Sequence, residues 1–196
     1  MIELTFDIRN FGRKAQEVGA ALDQVPFALS MALNQAVEHT RSSLINTTWP
    51  NHVTVRKANF MNAALTTSGE RATKNRLRVV LYDRLGRASL PLHAEGGIKQ
   101  ARGRLAIPTK NVRITSSGVA ASQRPANMKR KVVKGNLIFQ ASGKGKNSKL
   151  KLMFKLQPTA KIKRDVPFYT DFTATMAQQV HANFPKALAR AMATRR

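Results

Sequence analysis

The sequence has no cysteine, few acidic residues and few aromatic residues. Without cysteine, disulfides and thiolate metal sites are excluded. No apolar run reaches the ~18 residues that a membrane-spanning helix needs, so we expect no membrane partner. The first ten residues carry acids early and lack the basic and apolar regions of a secretory signal. We therefore expect a protein that is made and used in a bacterial-type cytosol.

The scarcity of acids also bears on catalysis. Only ten acids occur, spread from Glu3 to Asp171, and none forms a close pair suited to general acid–base chemistry. The four histidines show neither HxxxH nor HxxE spacing, so the sequence predicts no metal site and no cofactor. We expect no enzyme. A nuclease is the enzymatic alternative, and the lack of clustered acids argues against it.

One glycine–lysine segment invites a phosphate-loop interpretation. Gly143, Lys144, Gly145 and Lys146 lack the upstream glycine of the Walker pattern, and the residues that follow have a strand pattern instead of a helical one. The segment is therefore predicted to be a hairpin turn.

What the sequence has in abundance is positive charge, and it is segregated. The chain holds 34 Lys and Arg against ten acids, a net charge of +24. From Gly96 to Arg164 there are 18 Lys or Arg and no Asp or Glu. This asymmetry predicts an anionic partner, either duplex DNA backbone or an acidic protein surface. The predicted contact residues lie on loop or hairpin and are Lys129, Arg130, Lys131, Lys134, Lys144, Lys146, Lys149 and Lys151. Aromatic residues are not interleaved with them, so we expect phosphate contact without sequence readout.

The N-terminal third has mostly helical periodicity. Alternation from Ile2 to Ile8 predicts a half-buried strand, and the segment from Phe11 to Leu22 has helical spacing. A long helix is predicted from Phe27 to Leu44, with Asn34 at a helix–helix contact. A shorter helix is predicted from Val55 to Leu65.

The densest set of local signals runs from Leu90 to Thr109. Pro91 is expected to interrupt regular structure, and Gly96–Gly97 is expected to form a turn with positive φ. A second turn is predicted at Arg102–Gly103–Arg104. The apolar run 105–107, stopped by Pro108, indicates a strand near a sheet edge.

The remaining elements are strands and one long helix. Strands are predicted over Leu77–Leu85, Leu137–Phe139 and Leu150–Leu156, the last two paired as an antiparallel hairpin. A closing helix is predicted from Phe168 to Met192, kinked or divided at Pro185. The fold class is therefore α+β: an antiparallel sheet of about four strands packed by the long N-terminal and C-terminal helices. We expect this one sheet to include all three of these strands and the closing helix to pack on it. One domain over residues 1–196 is expected, with a basic loop or arm around residues 110–135.

The middle segment resembles the minor tail protein Z and tail-completion families of tailed bacteriophages. The residues that carry the resemblance are His93, Gly96, Gly97, Leu105, Ala106, Ile107 and Pro108. The resemblance extends in element order over about residues 27–193, but the basic insert 112–134 is longer than in those families.

The resemblance implies a virion structural protein at the tail or at the head–tail junction, assembled in the host bacterial cytoplasm. Such proteins form homo-oligomeric rings, commonly hexamers, and bind other tail, neck and connector proteins. The alternative from a different class is a sequence-independent nucleic-acid-binding protein unrelated to virions.

Overall fold

The computed structural model describes residues 3–5, 24–67, 69, 71–86, 89–143 and 148–194. In this structure the chain forms two compact units: unit 1 is Met1–Glu95 with Arg164–Arg196, and unit 2 is Gly96–Lys163. Unit 2 is thus inserted into the sequence of unit 1. The helix predicted over 11–22 and most of the strand predicted over 2–8 lie outside the described residues.

Unit 1 is built mainly from helices. Pro26 stands in the first turn of the longest N-terminal helix, where its missing N–H removes no hydrogen bond. A π-helical stretch, Leu44–Thr48, follows that helix. The helices are α1 Val25–Ser43, α2 Trp49–His52, α3 Phe60–Ala64, α4 Leu90–Glu95 and α5 Phe168–Ala193.

The core of unit 1 lies where the apolar stripes of α1 and α5 meet. Leu33 and Val37 of α1 belong to the same buried cluster as Phe172 and Met176 of α5. Phe172 is 1% exposed. Burying an apolar side chain of this size contributes about 1.5–3 kcal/mol, so each of these residues helps to stabilise unit 1.

A small antiparallel sheet completes unit 1. Its strands are β1 Glu3–Thr5, β2 Leu65–Thr66 and β3 Val80–Asp83, with β3 in the centre. Leu81 of β3 is fully buried in the core that holds α1 and α5.

Unit 2 contains a four-stranded antiparallel sheet in the order β4-β9-β8-β7. The segment 114–119 forms a small separate hairpin, β5 with β6. The strands of unit 2 are β4 Gly97–Pro108, β5 Ile114–Thr115, β6 Gly118–Val119, β7 Lys131–Lys134, β8 Leu137–Ser142 and β9 Lys149–Ile162.

The α+β class, the four-stranded antiparallel sheet and the long helices at both ends of the chain are confirmed. So is the hairpin of β8 with β9, in which Ile138 pairs with Phe154. The run 105–107 lies in β4, an edge strand that ends at Pro108, as predicted.

One prediction about the sheet is wrong. The strand predicted over Leu77–Leu85 is observed as β3 and belongs to the small sheet of unit 1, whereas β8 and β9 belong to the sheet of unit 2. The stripe of α5 shares its core with α1 and β3, and the sheet of unit 2 has its own core. A period-2 pattern shows that a strand has a buried face but not which sheet it joins.

Several local predictions also need correction. Pro91 lies in the first turn of α4 and does not interrupt regular structure. Gly103, at φ 123°, sits in a register shift within β4 where a turn was predicted. The helix predicted over Val55–Leu65 is only the short α3. Of the kink or division predicted at Pro185, the division is absent, because α5 continues through this residue as one helix.

Candidate functional site

His93 links the two segments of unit 1 that flank the insertion in the sequence. The His93 carbonyl accepts hydrogen bonds from the backbone N–H groups of Asp165 and Val166, both at 3.1 Å. Its ring Nδ1 lies 2.7 Å from Asp165 Oδ1. The Trp49 ring meets the His93 ring edge-on at 5.6 Å between centroids. His93 therefore joins the chain before the insertion to the chain after it.

A second hydrogen bond links the same two segments. The hydroxyl of Tyr169 donates to Glu95 Oε1 at 2.6 Å. This hydrogen bond, with partial burial and the negative charge of Glu95, raises the pKa of Tyr169 to about 12. The phenol is thus held in its protonated form, as a structural donor.

The other residues that carry the resemblance follow His93 in the sequence. Gly96 and Gly97 have φ values of 78° and 143°, as the turn prediction requires. Residues 105–108 form the C-terminal end of edge strand β4. Immediately after Pro108, the backbone N–H of Thr109 donates to the carbonyl of Met153.

Unit 2 holds half of the cations of the chain and none of its acids. Residues 96–163 contain 17 of the 34 Lys and Arg residues and no Asp or Glu. No Asp or Glu within this unit can neutralise its charge, so the unit attracts anions.

The four-stranded sheet of unit 2 has two different faces. Residues that pair directly across antiparallel strands share a face, so the register assigns each side chain. The covered face packs against Val112, Val119 and Met128 of the segment 109–130. Its core residues are Ala106, Ile138, Met153, Phe154 and Leu156. The open face includes Leu105, Ile107, Val132, Lys134, Leu137, Phe139, Ala141, Leu150, Leu152, Lys155 and Gln157.

Three of the predicted contact lysines share the covered face, beyond its apolar core. Lys131 of β7 and Lys151 of β9 both pair with Gln140, which lies between them. Two strand spacings separate these lysines, roughly 9–10 Å. Lys149 pairs with Ser142 one row further on. Lys131 also donates to the carbonyl of Pro125 at 3.0 Å, which leaves further ammonium N–H groups for an anion.

The other predicted contacts are not all brought together. Lys134 lies on the open face, and both it and Lys131 are in strand β7, not in the predicted loop. Lys129 and Arg130 are exposed in the turn before β7. Lys144 and Lys146 lie outside the described residues.

Lys155 was missed by the sequence interpretation. It pairs with Leu137 on one side and Ile107 on the other, so it lies on the open face with Lys134. The alternating pattern of residues 150–156 could have indicated its orientation, but only a known register shows which residues flank it.

Several of the described acids accept hydrogen bonds within the fold. Thr48 and Thr67 donate to Asp171 and Glu38, at 2.6 and 3.0 Å. Asp83 Oδ1 accepts two backbone N–H groups of the following turn. Within the described ranges, no three His, Cys, Asp or Glu side chains come close enough to hold a metal ion. None of the helices in the described part of the chain is both long and apolar enough to cross a membrane.

The arrangement is therefore suited to binding anions, because Lys131 and Lys151 share one face of the sheet. Comparisons with protein-family models, with curated proteins and with solved structures found no match to this chain.

Proposed function

We propose that this chain is a structural protein of a tailed-bacteriophage particle, a minor tail or tail-completion protein at the head–tail joining region. The proposal places it in the virion, after assembly in the host cytoplasm, as a ring that binds neighbouring tail, neck or connector proteins. The observation that carries the proposal is the inserted unit, which combines 17 cations and no acid with the segment that resembles tail-completion proteins.

Two features of unit 2 support an assembly role. Large apolar side chains are exposed on the open face of its sheet, including Leu150 at 41% and Ile107 at 36%. Exposed apolar residues of this kind favour contacts with other chains. The cations of Lys131, Lys149 and Lys151 favour an anionic surface opposite, and DNA in a particle channel offers one.

A second candidate is a sequence-independent nucleic-acid-binding protein with no place in a virion. The same acid-free unit favours it, because phosphate contact requires cations and no particular base sequence. The two candidates differ in assembly: the second predicts a monomer that coats duplex DNA without forming a ring.

The test is to place an early stop codon in the gene within its phage or prophage and to examine the particles by electron microscopy. We expect complete heads and tails that fail to join, with infectivity restored when the protein is supplied in trans. A synonymous codon change at the same position is the control. Fully infectious particles that lack the protein would contradict the proposal.

A further inference from the structure

The open face of the unit 2 sheet combines apolar side chains with two lysines. Leu137 lies between Lys134 and Lys155 in one row, and Ile107 extends this row to the edge strand β4. The next row contains Phe139 and Leu152. Ile107 is 36% exposed and both lysines are exposed, whereas Leu137, Phe139 and Leu152 are half-buried.

These apolar side chains have no place in either hydrophobic core. The core of unit 2 takes its sheet residues from the covered face alone. Among the residues that the structure describes, neither core includes Ile107, Leu137, Phe139 or Leu152. An antiparallel sheet normally presents polar residues on its solvent face, so an apolar row here indicates a surface that another molecule covers.

We propose that the open face binds a protein that presents apolar side chains flanked by carboxylates. The apolar rows would pack against the apolar side chains, and Lys134 and Lys155 would pair with the carboxylates. This inference deepens the proposed function and rests on it for the existence of an acidic neighbouring protein.

The chemistry of the face distinguishes this occupant from others. Duplex DNA presents phosphates, which gain nothing from Leu137 or Phe139, while the cations flanking Gln140 lie on the other face. A second copy of unit 2 would bring 17 further cations and no carboxylate. Like charges placed opposite each other oppose association, so self-pairing of this face is disfavoured.

The chain offers a matched pair of variants for the test. Lys134→Glu with Lys155→Glu reverses two charges on the open face. Lys131→Glu with Lys151→Glu makes the same change in the same two strands on the covered face. A second matched pair replaces one exposed apolar residue of an edge strand on each face. Ile107→Ser changes the open face, and Val133→Ser is the control on the covered face.

The probe is a fluorescent amphipathic peptide with a leucine stripe flanked by glutamates, titrated with the purified full chain and followed by anisotropy. One control peptide replaces its leucines with glutamine, and another replaces its glutamates with glutamine. We expect the parent peptide to bind at least about tenfold more tightly than either control. We expect Lys134→Glu with Lys155→Glu, and Ile107→Ser, to weaken this binding about tenfold, and the two covered-face variants to leave it within about twofold.

Four outcomes would overturn the inference. The covered-face charge variant could weaken peptide binding as much as the open-face charge variant does. The peptide without leucines could bind as tightly as the parent peptide. Alternatively, duplex DNA could lose more affinity from the open-face pair than from the covered-face pair, which would make the open face a DNA surface. Self-association abolished by Ile107→Ser would likewise replace the acidic partner with a second copy.

Thermal melting followed by circular dichroism checks that each variant folds. If a Lys→Glu substitution unfolds the chain, Lys→Gln at the same position is used for the comparison instead. A failure of peptide binding removes the open-face inference alone. The particle experiment tests the proposed function separately, because it requires no identified surface.

Discussion

The hydrogen bond between Tyr169 and Glu95 makes the first residue-scale prediction. Because Glu95 accepts the phenol proton, the pKa of Tyr169 is raised to about 12, above the unfolded value of about 10. This contribution to stability is fully present below about pH 10 and is lost as the pH rises to about 12. In a Tyr82→Phe background, the ultraviolet phenolate signal should therefore titrate near pH 12.

Glu95→Gln provides the check on this cause. The change removes the charged acceptor, so the Tyr169 titration should move back toward about pH 10. A midpoint that does not move would mean that Glu95 does not cause the shift.

Asn34 makes the second residue-scale prediction. Its Nδ2 donates to the carbonyl of Ala72 at 2.9 Å, and its Oδ1 accepts the N–H of the same residue at 2.8 Å. Asn34→Ala should lower the free energy of unfolding by about 1–3 kcal/mol, because two backbone groups lose their partners. Denaturant unfolding measures the loss. Gln35→Ala, at the exposed neighbouring position, should stay within about 0.5 kcal/mol, and equal losses would rule out the hydrogen bonds as the cause.

Single residues were only partly predictable from the sequence. The polarity of Asn34 beside an apolar stripe indicated a packed contact, but its partner is the backbone at Ala72 instead of another helix. The tie between His93 and Asp165 joins residues 72 positions apart. Sequence spacing carries no signal for such a pair, because the fold alone brings the two segments together.

At the scale of elements, the apolar stripe of α5 makes a stability prediction. Phe172→Ala should destabilise the chain by about 3–5 kcal/mol, since it removes a fully buried ring from the core shared with α1. Thermal or denaturant unfolding gives the value. Phe27→Ala, on a ring that is 40% exposed, should cost much less. A Phe172 variant as stable as the Phe27 variant would show that α5 does not form this core.

The elements themselves were largely predictable, but their partners were not. The stripes of α1 and α5 follow from helical periodicity, and the β8–β9 hairpin follows from two adjacent apolar runs around a glycine-rich turn. The sheet assignment of β3 was wrong, because strand pairing over long sequence distances leaves no local pattern. Likewise, the faces of Lys131 and Lys134 depend on the register of β7 with β8.

At the scale of the whole molecule, the segregation of charge was fully visible in the sequence, and it coincides with the inserted unit. The stretch without Asp or Glu begins at Gly96, which is also the first residue of unit 2. It ends at Arg164, immediately after the last residue of unit 2. What the composition did not reveal is that the lysines divide between two faces of one sheet.

This division makes a prediction for duplex DNA. Each phosphate contact contributes about 0.9 to the slope of log affinity against log salt, so Lys131→Ala with Lys151→Ala should flatten the slope by about 1.8 if both contact phosphate. Fluorescence anisotropy with a duplex at several salt concentrations measures the slope. Lys134→Ala with Lys155→Ala is the matched control and should leave the slope nearly unchanged. Equal flattening by both pairs would mean that DNA does not distinguish the two faces.

The insertion of unit 2 has a consequence for the entropy of the chain. Gly97 and Ile162 are the outermost pair of the β4–β9 ladder, so a folded unit 2 holds its two ends side by side. Folded unit 2 therefore acts as a cross-link between the segments that carry α1 and α5. While it is folded, the packing of α1 against α5 does not carry the entropy cost of closing a long flexible loop. A substitution that unfolds unit 2 alone therefore weakens the α1–α5 core by an amount on the order of a few kcal/mol, although it alters none of the contacts in that core.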